Sequence, residues 1–446
     1  MKSLLRNLTP RWLLNAYHGV VTWLAQAAYG FPTRRMRVIG VTGTDGKTST
    51  ANYTSQLLEA AGYRTGVTST ALIKVGAKTR LNPYKLTMLG RWHLASLLAE
   101  MRREKTDYAI VETSSEGLAQ NRHLGIAYDV AVFTNLSPEH IESHGSFEAY
   151  GRAKEKLFAA VGRSRRKPDV KKVIAANLDD EHAKDMLQYD ADEKWGWSLE
   201  SDASPLVKHV VRPMQYACTP SGIQFVLRDE AGQTAEVATR LVGLFNLRNA
   251  LAAATVARSQ GVPLDVIARR LSAIEPVPGR MEPIDAGQPF SVIVDYAHAP
   301  NALEQVYKTL RQQLAPGARL IAVLGSAGGG RDKAKRPVLG KLAGTYAHVA
   351  VVTNEDPYDE DPQEIMEQVA VGVRAAAKPG GTELHIVPER REGMQLALAA
   401  AKAGDIVVIT GKGCEPVIMG PAGKRIPHDD RTVARELLAE LQKPKK

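Results

Sequence analysis

The stretch Gly40-Val41-Thr42-Gly43-Thr44-Asp45-Gly46-Lys47-Thr48 connects a short apolar run to a segment with helical spacing. Residues 37–41 (RVIGV) predict a buried strand, and residues 50–61 repeat their apolar side chains with the period of a helix. A glycine-containing loop between a strand and a helix presents backbone N–H groups and a helix N-terminus to an anion. Lys47 would reach the β- and γ-phosphates of a nucleotide, and the Thr48 hydroxyl would bind Mg²⁺. The stretch therefore predicts an ATP-binding loop formed by Gly43, Thr44, Asp45, Gly46, Lys47 and Thr48.

The loop lacks the first glycine of the general motif G-x-x-x-x-G-K-[ST], because Val41 occupies that position. A second feature nevertheless supports the prediction of an ATP-binding loop. Glu112 ends another strand-like run, residues 108–111, and its carboxylate would be a hard oxygen ligand for Mg²⁺ near the loop. The alternative interpretation is a solvated glutamate at the end of a strand.

Strand-like and helical runs alternate along most of the chain. Strands are predicted at 37–41, 108–111, 130–133 and 173–176, and a second series follows a Pro/Gly-rich hinge at 275–280: 291–294, 319–324, 348–353 and 405–409. Such alternation is typical of a parallel sheet with helices on both faces. We therefore expect an α/β protein with three parts. They are a short helical N-terminal segment (1–37), a central P-loop ATPase domain with a mainly parallel sheet (38–276) and a C-terminal Rossmann-like domain (277–446).

The amino-acid composition limits the kinds of partner that the protein is expected to bind. The 446 residues carry 58 Lys and Arg against 48 Asp and Glu, a net charge of +10, which suits anionic partners. The basic residues are spread along the chain and no nucleic-acid motif is present, so phosphate-bearing small molecules are expected rather than nucleic acid. The two cysteines, Cys218 and Cys414, indicate a reducing cytoplasmic location. A monomer is expected.

The N-terminal segment is basic and apolar. No acidic residue occurs between Met1 and Thr44, and residues 12–29 are rich in Leu, Val, Ala, Trp and Tyr. Four polar residues interrupt that stretch and argue against a helix that spans a membrane: Asn15, His18, Thr22 and Gln26. Two interpretations remain: a helix docked on the following domain, or an amphipathic helix in peripheral contact with the inner face of an anionic membrane.

Nine stretches of the chain, in one order, resemble the Mur ligase family, and most closely its MurE branch. They are GVTGTDGKTST from Gly40, ETSSEGLAQNR from Glu112, FTNLSPEHIESHGSFEAYGRAKEKLF from Phe133, GLFNLRNALAA from Gly243, PGRME from Pro278, DYAHAPNALE from Asp295, GGGRDKAKRP from Gly328, NEDPYDEDP from Asn354 and GKGCE from Gly411. The resemblance implies a ligase that uses ATP to add an amino acid to a UDP-N-acetylmuramoyl-dipeptide of peptidoglycan synthesis, through an acyl phosphate.

The resemblance also implies roles for individual residues. Lys47, Glu112, His140 and Lys154 would be catalytic, and two Mg²⁺ ions would be bound by Thr48, Glu112, His140 and Lys154. Lys154 matches a lysine that the family carries as a CO₂-derived carbamate, which turns a cation into an anionic oxygen ligand. Asn246 and Asn249 would contact adenine. Arg280 and Asp295 would meet the phosphates and ribose.

Acceptor and amino-acid residues follow from the same resemblance. Asn82, Thr87, Ser114 and Arg122 would contact the acceptor. The family's N-terminal uridine-binding domain has no counterpart in the roughly 37 residues before the first strand, so the mode of acceptor binding is open. The amino acid would be bound by Arg331, Glu355, Asp356, Tyr358, Gly411 and Glu415.

The amino-acid pocket departs from the diaminopimelate-selecting members, which carry D-N-P-R where this chain has Glu355-Asp356-Pro357-Tyr358. Loss of that arginine and gain of acidic residues favour L-lysine or another diamino acid over diaminopimelate. Cys414 stands where the family has a histidine, which we interpret as a tolerated packing change. Two alternatives to the MurE-type reaction remain: a folylpolyglutamate- or cyanophycin-type ligase, and a non-catalytic nucleotide-binding scaffold recruited to a membrane.

Overall fold

A computed structural model describes residues 11–84, 86–138, 144–201, 203–219, 222–330, 333–376 and 381–442. The chain divides into two compact units. The first comprises Met1–Cys218, Gly222–Arg240 and Phe245–Ile274, and the second comprises Thr219–Ser221, Leu241–Leu244 and Glu275–Lys446. None of the helices in the described ranges is long and apolar enough to cross a membrane.

The first unit is built on one large sheet, to which the described residues contribute eleven strands in the order β11-β10-β9-β8-β7-β6-β1-β5-β2-β3-β4. Neighbouring strands from β9 to β2 pair in parallel, and antiparallel strands extend the sheet at both edges. The strands are β1 (Arg37–Thr42), β2 (Thr65–Thr68), β3 (Leu72–Val75), β4 (Lys78–Leu81), β5 (Tyr108–Glu112), β6 (Val130–Phe133), β7 (Val173–Asn177), β8 (Glu193–Trp197), β9 (His209–Thr219), β10 (Gly222–Arg228) and β11 (Thr234–Thr239).

Helices pack around this sheet, and apart from α1 they bury apolar side chains within the unit. The described helices of this part of the chain are α1 (Arg11–Ala28), α2 (Lys47–Ala60), α3 (Arg91–Arg103), α4 (Ser115–Ala119), α5 (Phe147–Arg163), α6 (Ala183–Leu187), α7 (Leu244–Ser259) and α8 (Leu264–Ser272), with a 3₁₀ turn at Pro32–Arg35. Val38, Val111, Phe133 and Leu157 are fully buried in one core between strands and helices. This burial explains why β1, β5 and β6 read as unbroken apolar runs rather than alternating ones.

The second unit repeats the arrangement on a smaller scale. Its sheet has the order β12-β13-β17-β14-β15-β16, parallel except at β12. The strands are β12 (Glu282–Pro283), β13 (Ser291–Asp295), β14 (Leu320–Leu324), β15 (Val349–Thr353), β16 (Glu383–Val387) and β17 (Ile406–Thr410), with a separate ribbon of β18 (Val417–Met419) and β19 (Arg425–Pro427). The helices are α9 (Pro300–Gln312), α10 (Lys335–Tyr346), α11 (Pro362–Ala376), α12 (Arg390–Ala400) and α13 (Asp430–Leu441), with a 3₁₀ turn at Pro421–Gly423.

The predicted α/β class, with a mainly parallel sheet followed by a second sheet unit, is confirmed, and each predicted strand corresponds to an observed one. Strands β9, β10 and β11 were not predicted, and neither were β2, β3, β4 and β8 of the first unit or β12, β16, β18 and β19. Most of the missed strands either are only two to four residues long, as β2, β3, β4 and β12 are, or leave many side chains exposed, as β9, β10 and β11 do, so their apolar pattern is weak in the sequence.

A buried cluster of charged side chains lies at the N-terminal ends of β1, β6 and β7 in the first unit. The Asp129 carboxylate pairs with both Lys167 and Lys172 and also accepts a 2.9 Å hydrogen bond from the Val38 N–H. Lys167 Nζ donates in addition to the carbonyl of Met36 at 2.7 Å. The three charged side chains are at most 6% exposed, so each depends on the others for compensation.

Replacing Asp129 by Asn should destabilise the first unit by about 3–5 kcal/mol, because two buried ammonium groups lose their shared anion. Urea unfolding monitored by circular dichroism measures the difference. The matched control is Asp265→Asn, which removes an exposed carboxylate from its pair with Arg269 and should change stability by less than about 1 kcal/mol. Equal effects of the two changes would contradict a structural role for the buried cluster.

Candidate active site

The glycine loop follows directly from β1. The strand ends at Thr42, and α2 begins at Lys47 with Gly46 as its N-cap at φ 79°. A β-carbon at Gly43 would collide with the Thr134 hydroxyl, and one at Gly46 would collide with the side-chain oxygen of Asn249. Glycine is therefore required at both positions, for left-handed backbone and for the close approach of these side chains.

The segment after β6 fixes the shape of the loop. The carbonyl and side-chain oxygens of Asn135 accept 2.9 Å hydrogen bonds from the N–H groups of Thr44 and Asp45 respectively. The Thr134 hydroxyl donates to the Asp45 carbonyl at 2.6 Å. These bonds hold the loop between two strand ends, and the first N–H groups of α2, which have no partner within the helix, suit a phosphate group.

Lys47, Thr48 and Glu112 are brought to this loop as expected. Lys47 Nζ donates to the Thr44 carbonyl at 2.6 Å. The Thr48 hydroxyl lies 2.9 and 3.0 Å from the two carboxylate oxygens of Glu112, whose side chain is buried. The alternative of a solvated Glu112 is therefore wrong.

Thr70 is a site residue that sequence reasoning missed. Its N–H and hydroxyl donate to the Glu112 carboxylate at 2.6 and 3.0 Å, and its hydroxyl oxygen lies 3.0 Å from Thr87 Oγ1, from which it can accept. A continuous chain of contacts thus joins Thr48 to Thr87 through Glu112. Thr70 follows β2, a strand parallel to β5, and its position after a strand end was the available signal.

Lys154 projects from α5 into the interior. Only 1% of the residue is exposed, and Nζ donates to the Gly43 carbonyl at 2.5 Å. The ammonium lies 4.2 Å from the centre of the Tyr150 ring, and the Tyr150 hydroxyl lies 3.2 Å from Thr44 Oγ1. The helix therefore delivers Lys154 to the phosphate-binding loop, from the same buried side that carries Tyr150 and Leu157.

His140 lies outside the described residues, so its predicted part in a metal site stays a prediction. His144, which sequence reasoning did not select, is described: its Nε2 lies 3.1 Å from Ser115 Oγ, and its ring meets Tyr150 edge-to-face. The spacing of four residues between His140 and His144 was the only signal for it. Within the described ranges no group of three or more His, Cys, Asp or Glu side chains is placed to hold a metal.

The residues predicted to contact adenine lie on α7. Asn246 and Asn249 are buried, and their side chains are 3.4 Å apart. Asn249 packs against Gly46. Both asparagines are therefore beside the start of α2.

The predicted acceptor residues have different surroundings. Thr87 belongs to the Glu112 network, and Ser114 caps α4 by accepting a 3.1 Å hydrogen bond from the Gly117 N–H. Arg122 donates to the Met88 carbonyl at 2.5 Å. The Asn82 amide donates to the Ser69 and Leu86 carbonyls, so it shapes the loop that carries Thr87.

In the second unit, Arg280 and Asp295 lie together around Tyr296. The Arg280 guanidinium stacks 4.4 Å from the Tyr296 ring centre. The two Asp295 oxygens accept 2.7 Å hydrogen bonds from the N–H groups of Met281 and Ala297. Burial raises the pKa of Asp295, and the positive charge of Arg280 partly offsets that rise.

The predicted amino-acid residues surround a buried lysine that sequence reasoning missed. Lys412 Nζ donates to Asp356 Oδ1 at 2.8 Å and to Glu415 Oε2 at 2.6 Å. Burial alone would lower the pKa of Lys412, but the two carboxylates raise it above its ordinary value. Lys412 lies inside the G-K-G-C-E stretch, and that position was its only signal.

The other amino-acid candidates lie close to this group. Glu355 is buried, which raises its pKa, and a β-carbon at Gly411 would collide with its carboxylate. Tyr358 has left-handed backbone (φ 54°) and packs against Gly329. Arg331 lies outside the described residues. Burial raises the pKa of Cys414, in this loop, to about 11, which leaves it a neutral packing residue at pH 7.

The donor set of the first unit fits nucleotide and Mg²⁺. Thr48 and Glu112 provide adjacent, buried oxygen ligands of the hard type that Mg²⁺ prefers. The loop adds a helix N-terminus and the ammonium of Lys47 for phosphate oxygens.

Family models match both parts of the chain. The Mur ligase middle domain matches residues 41–257, and the model described as "Mur ligase, glutamate ligase domain" matches residues 279–413. The UDP-N-acetylmuramyl-tripeptide synthetase of Roseiflexus sp. (strain RS-1) is 40% identical over 429 residues, covering 94% of this chain and 81% of that protein. A UDP-N-acetylmuramoyl-L-alanyl-D-glutamate--2,6-diaminopimelate ligase of Geobacillus kaustophilus (strain HTA426) is 39% identical, covering 94% and 82%.

Solved structures share the fold. A UDP-N-acetylmuramoyl-L-alanyl-D-glutamate--2,6-diaminopimelate ligase has a TM-score of 0.64 at 30% identity and covers 97% of this chain and 84% of that one. The folylpolyglutamate synthase of Mycobacterium tuberculosis has a TM-score of 0.67 over 94% and 95%, but at 17% identity it shows the fold alone. With both family models and relatives of this identity matched, the chain belongs to the Mur ligase family of ATP-dependent amide ligases.

Proposed function

We propose that this chain joins L-lysine or another diamino acid to a UDP-N-acetylmuramoyl-dipeptide-like peptidoglycan precursor, using ATP and an acyl-phosphate intermediate. The observation that carries the proposal is the buried Thr48–Glu112 pair beside the phosphate-binding loop, with Lys154 donating to the same loop. The similar proteins include a UDP-N-acetylmuramyl-tripeptide synthetase and several UDP-N-acetylmuramoyl-L-alanyl-D-glutamate--2,6-diaminopimelate ligases, which supports this class of acceptor.

The proposed reaction has two steps. A carboxylate oxygen of the acceptor attacks the γ-phosphorus of ATP, and ADP leaves with the electrons of the broken bridging bond. The amine nitrogen then attacks the acyl carbon, phosphate leaves, and the nitrogen loses a proton as the amide forms. Lys47 would stabilise the charge on the transferred phosphoryl group. Mg²⁺, when bound, would neutralise negative charge on the phosphates.

We assign ATP and the acceptor to the domain at 38–276 and the amino acid to the domain at 277–446. Gly43–Thr48, Asn246 and Asn249 would bind the nucleotide from the first domain, and Arg280 and Asp295 from the second. Thr87, Ser114 and Arg122 would contact the acceptor. The link from Glu112 through Thr70 to Thr87 supports this assignment, because it ties the acceptor side to the phosphate side.

The carbamate on Lys154 is part of the proposal. A buried lysine beside a loop that must accept phosphates and Mg²⁺ brings a positive charge where an anionic ligand would serve the metal. Carbamylation by CO₂ removes that charge and supplies oxygen atoms. Thr48, Glu112, His140 and the modified Lys154 would then hold two Mg²⁺ ions.

The preference for a diamino acid with a free distal amine rests on Tyr358. It occupies the position of the arginine that meets the distal carboxylate in diaminopimelate-selecting members. Lys412 already neutralises part of the charge of Asp356 and Glu415, and Glu355 remains as a further carboxylate. Arg390, which also acts on Glu355, is paired with Asp430, and Lys335 is a further cation beside Glu355. Outside that pair, three carboxylates stand against Lys412 and Lys335, which suits an ammonium rather than a carboxylate.

We place the enzyme in the cytoplasm as a monomer acting on small molecules, with no role for nucleic acid and a peripheral contact with the inner face of the membrane through α1. The outward exposure of apolar residues on that helix supports the contact.

Phosphate release with ATP, Mg²⁺ and UDP-N-acetylmuramoyl-dipeptide should depend on an added amino acid, and L-lysine should give a higher kcat/KM than meso-diaminopimelate. The matched control is the same mixture without acceptor, in which release should stay at background. If none of the amino acids tested gives phosphate release, the proposed acceptor and amino-acid class are overturned, while the family assignment stands.

Replacing Lys154 by Ala should lower turnover by at least roughly a hundredfold while nucleotide binding is retained, because the change removes a metal ligand rather than the loop. Lys156→Ala is the control: Lys156 lies on the same helix but donates to the Leu118 carbonyl. NMR after incubation with ¹³C-bicarbonate should detect a carbamate carbon in the parent protein and in the control variant, but not in Lys154→Ala. Full turnover of that variant, or no carbamate signal in the parent, would disprove the modification.

Replacing Tyr358 by Arg should raise the ratio of kcat/KM for diaminopimelate over L-lysine by about tenfold or more, because a guanidinium pairs with the distal carboxylate and repels an ammonium. Tyr358→Phe should leave the ratio unchanged, since it preserves size and adds no charge. Competition between the two amino acids, followed by mass spectrometry of the product, measures the ratio. An unchanged ratio in the arginine variant would remove Tyr358 from the selection of the amino acid.

A further inference from the structure

Helix α1 is inverted relative to an ordinary surface helix, because polar residues lie on its buried side. Thr22 and Gln26 are 0% and 1% exposed, one turn apart. Thr22 Oγ1 donates to the His18 carbonyl at 2.8 Å, whereas neither polar atom of the Gln26 side chain has a hydrogen-bond partner among the described residues. A surface helix usually places its apolar stripe inward and its polar residues in water.

The outward side of α1 is apolar. Its residues at spacings of three and four form one stripe, with exposed fractions from 46% to 61%, and we call this stripe the α1 apolar face: Leu13, Tyr17, Val20, Trp23 and Leu24. A contiguous exposed patch of this kind marks an interaction surface rather than a chance exposure.

Two further exposed apolar residues lie on segments that contact α1. Trp92, at the start of α3, is 50% exposed, and α3 packs against α1. Leu124 is 38% exposed and lies against Gly19 of the helix. Tryptophan and tyrosine at the margin of an apolar surface are typical of the boundary between lipid and water.

Arginines border the α1 apolar face at two places. The Arg34 guanidinium stacks 4.1 Å from the centre of the Phe31 ring, which in turn meets Trp23 edge-to-face. Arg91 lies close enough to Tyr17 for the two groups to interact electrostatically. No acidic residue occurs in the sequence between Met1 and Thr44 to balance this charge.

We propose that the α1 apolar face lies in the interfacial region of an anionic lipid membrane, with Arg34 and Arg91 on lipid headgroups. This names the surface and the lipid class of the peripheral contact and does not depend on the ligase reaction. A symmetric pairing of two copies through the same face would bring their arginines together with no acidic residue of the segment between them. In this arrangement the axis of α1 would lie parallel to the membrane surface, as in other interfacial amphipathic helices.

Gln120 connects the proposed membrane-facing surface to one of the proposed acceptor residues. Arg91 donates to the Gln120 carbonyl at 3.3 Å, and Arg122 donates to the Gln120 side-chain oxygen at 2.8 Å. The proposed lipid-facing arginine and the proposed acceptor residue Arg122 therefore share one neighbour. An acceptor held at the membrane would meet the enzyme on this side.

Flotation of the full-length protein with vesicles tests the proposal. The protein should float with vesicles of phosphatidylcholine and phosphatidylglycerol and remain in solution with phosphatidylcholine alone. The double variant Val20→Glu/Leu24→Glu should bind anionic vesicles at least about tenfold more weakly, since it places charge on the buried side of the contact. Arg34→Gln should weaken binding about fivefold and flatten its salt dependence.

Val371→Glu is the matched control, because Val371 is 52% exposed on α11 in the second unit and should not affect vesicle binding. All variants should keep the parent's ATP-dependent phosphate release without membranes, so a failure of vesicle binding is separate from a failure of the reaction. Equal binding to neutral and anionic vesicles, or unchanged binding of the double variant, would overturn the proposal. A dimer in sedimentation that the double variant abolishes, without vesicle binding, would assign the face to a second copy instead.

Discussion

The parallel pairing of β1 with β5 and β6 is the constraint on which the first site depends. In this register Val41 lies opposite Glu112, and Thr42 lies opposite Phe133. The three strands therefore end together, and each end supplies a different part of the site. These parts are the glycine loop after β1, the Glu112 carboxylate at the end of β5, and Thr134 and Asn135, which hydrogen-bond to the loop, after β6. A parallel sheet collects residues that are distant in sequence at one edge, without any of them being adjacent in the chain.

Polar contacts hold these strand ends in place. Glu112 receives hydrogen bonds from Thr48 on α2 and from Thr70 after β2, so two segments orient one carboxylate. Lys154 reaches the Gly43 carbonyl from α5. Buried polar groups of this kind must be paired to be tolerated, and the pairing gives each side chain a single position. A site that handles several phosphate charges needs such fixed groups rather than mobile ones.

The second unit likewise gathers polar residues at the ends of its parallel strands. Asp295 ends β13, Glu355 follows β15 and Gly411 follows β17, so its polar cluster also lies at the carboxyl ends of parallel strands. Lys412 fills the space between two acidic residues that the sequence pattern assigns to substrate. The charge that a substrate meets there is thus smaller than the count of carboxylates suggests.

The sequence by itself determined the α/β class, the glycine loop and the Mur ligase family, because these are written in local patterns: an apolar strand, Gly43, Gly46, Lys47 and the ordered motifs that follow. Only the tertiary structure decided which side chains meet. Thr70 and Lys412 were missed because a position after a strand end or inside a motif does not show which side chains a residue meets. Lys154 shares the helical spacing of the buried Tyr150 and Leu157, and only the packing of α5 shows that a charged residue is buried there. The same holds for α1, whose composition left both a docked and a membrane-facing helix open. Packing against α3 sets the rotation of α1 about its own axis, and that rotation leaves Tyr17, Val20 and Leu24 exposed. The sequence could not decide this, because the periodicity of apolar residues defines a stripe on a helix but not the direction in which the stripe faces.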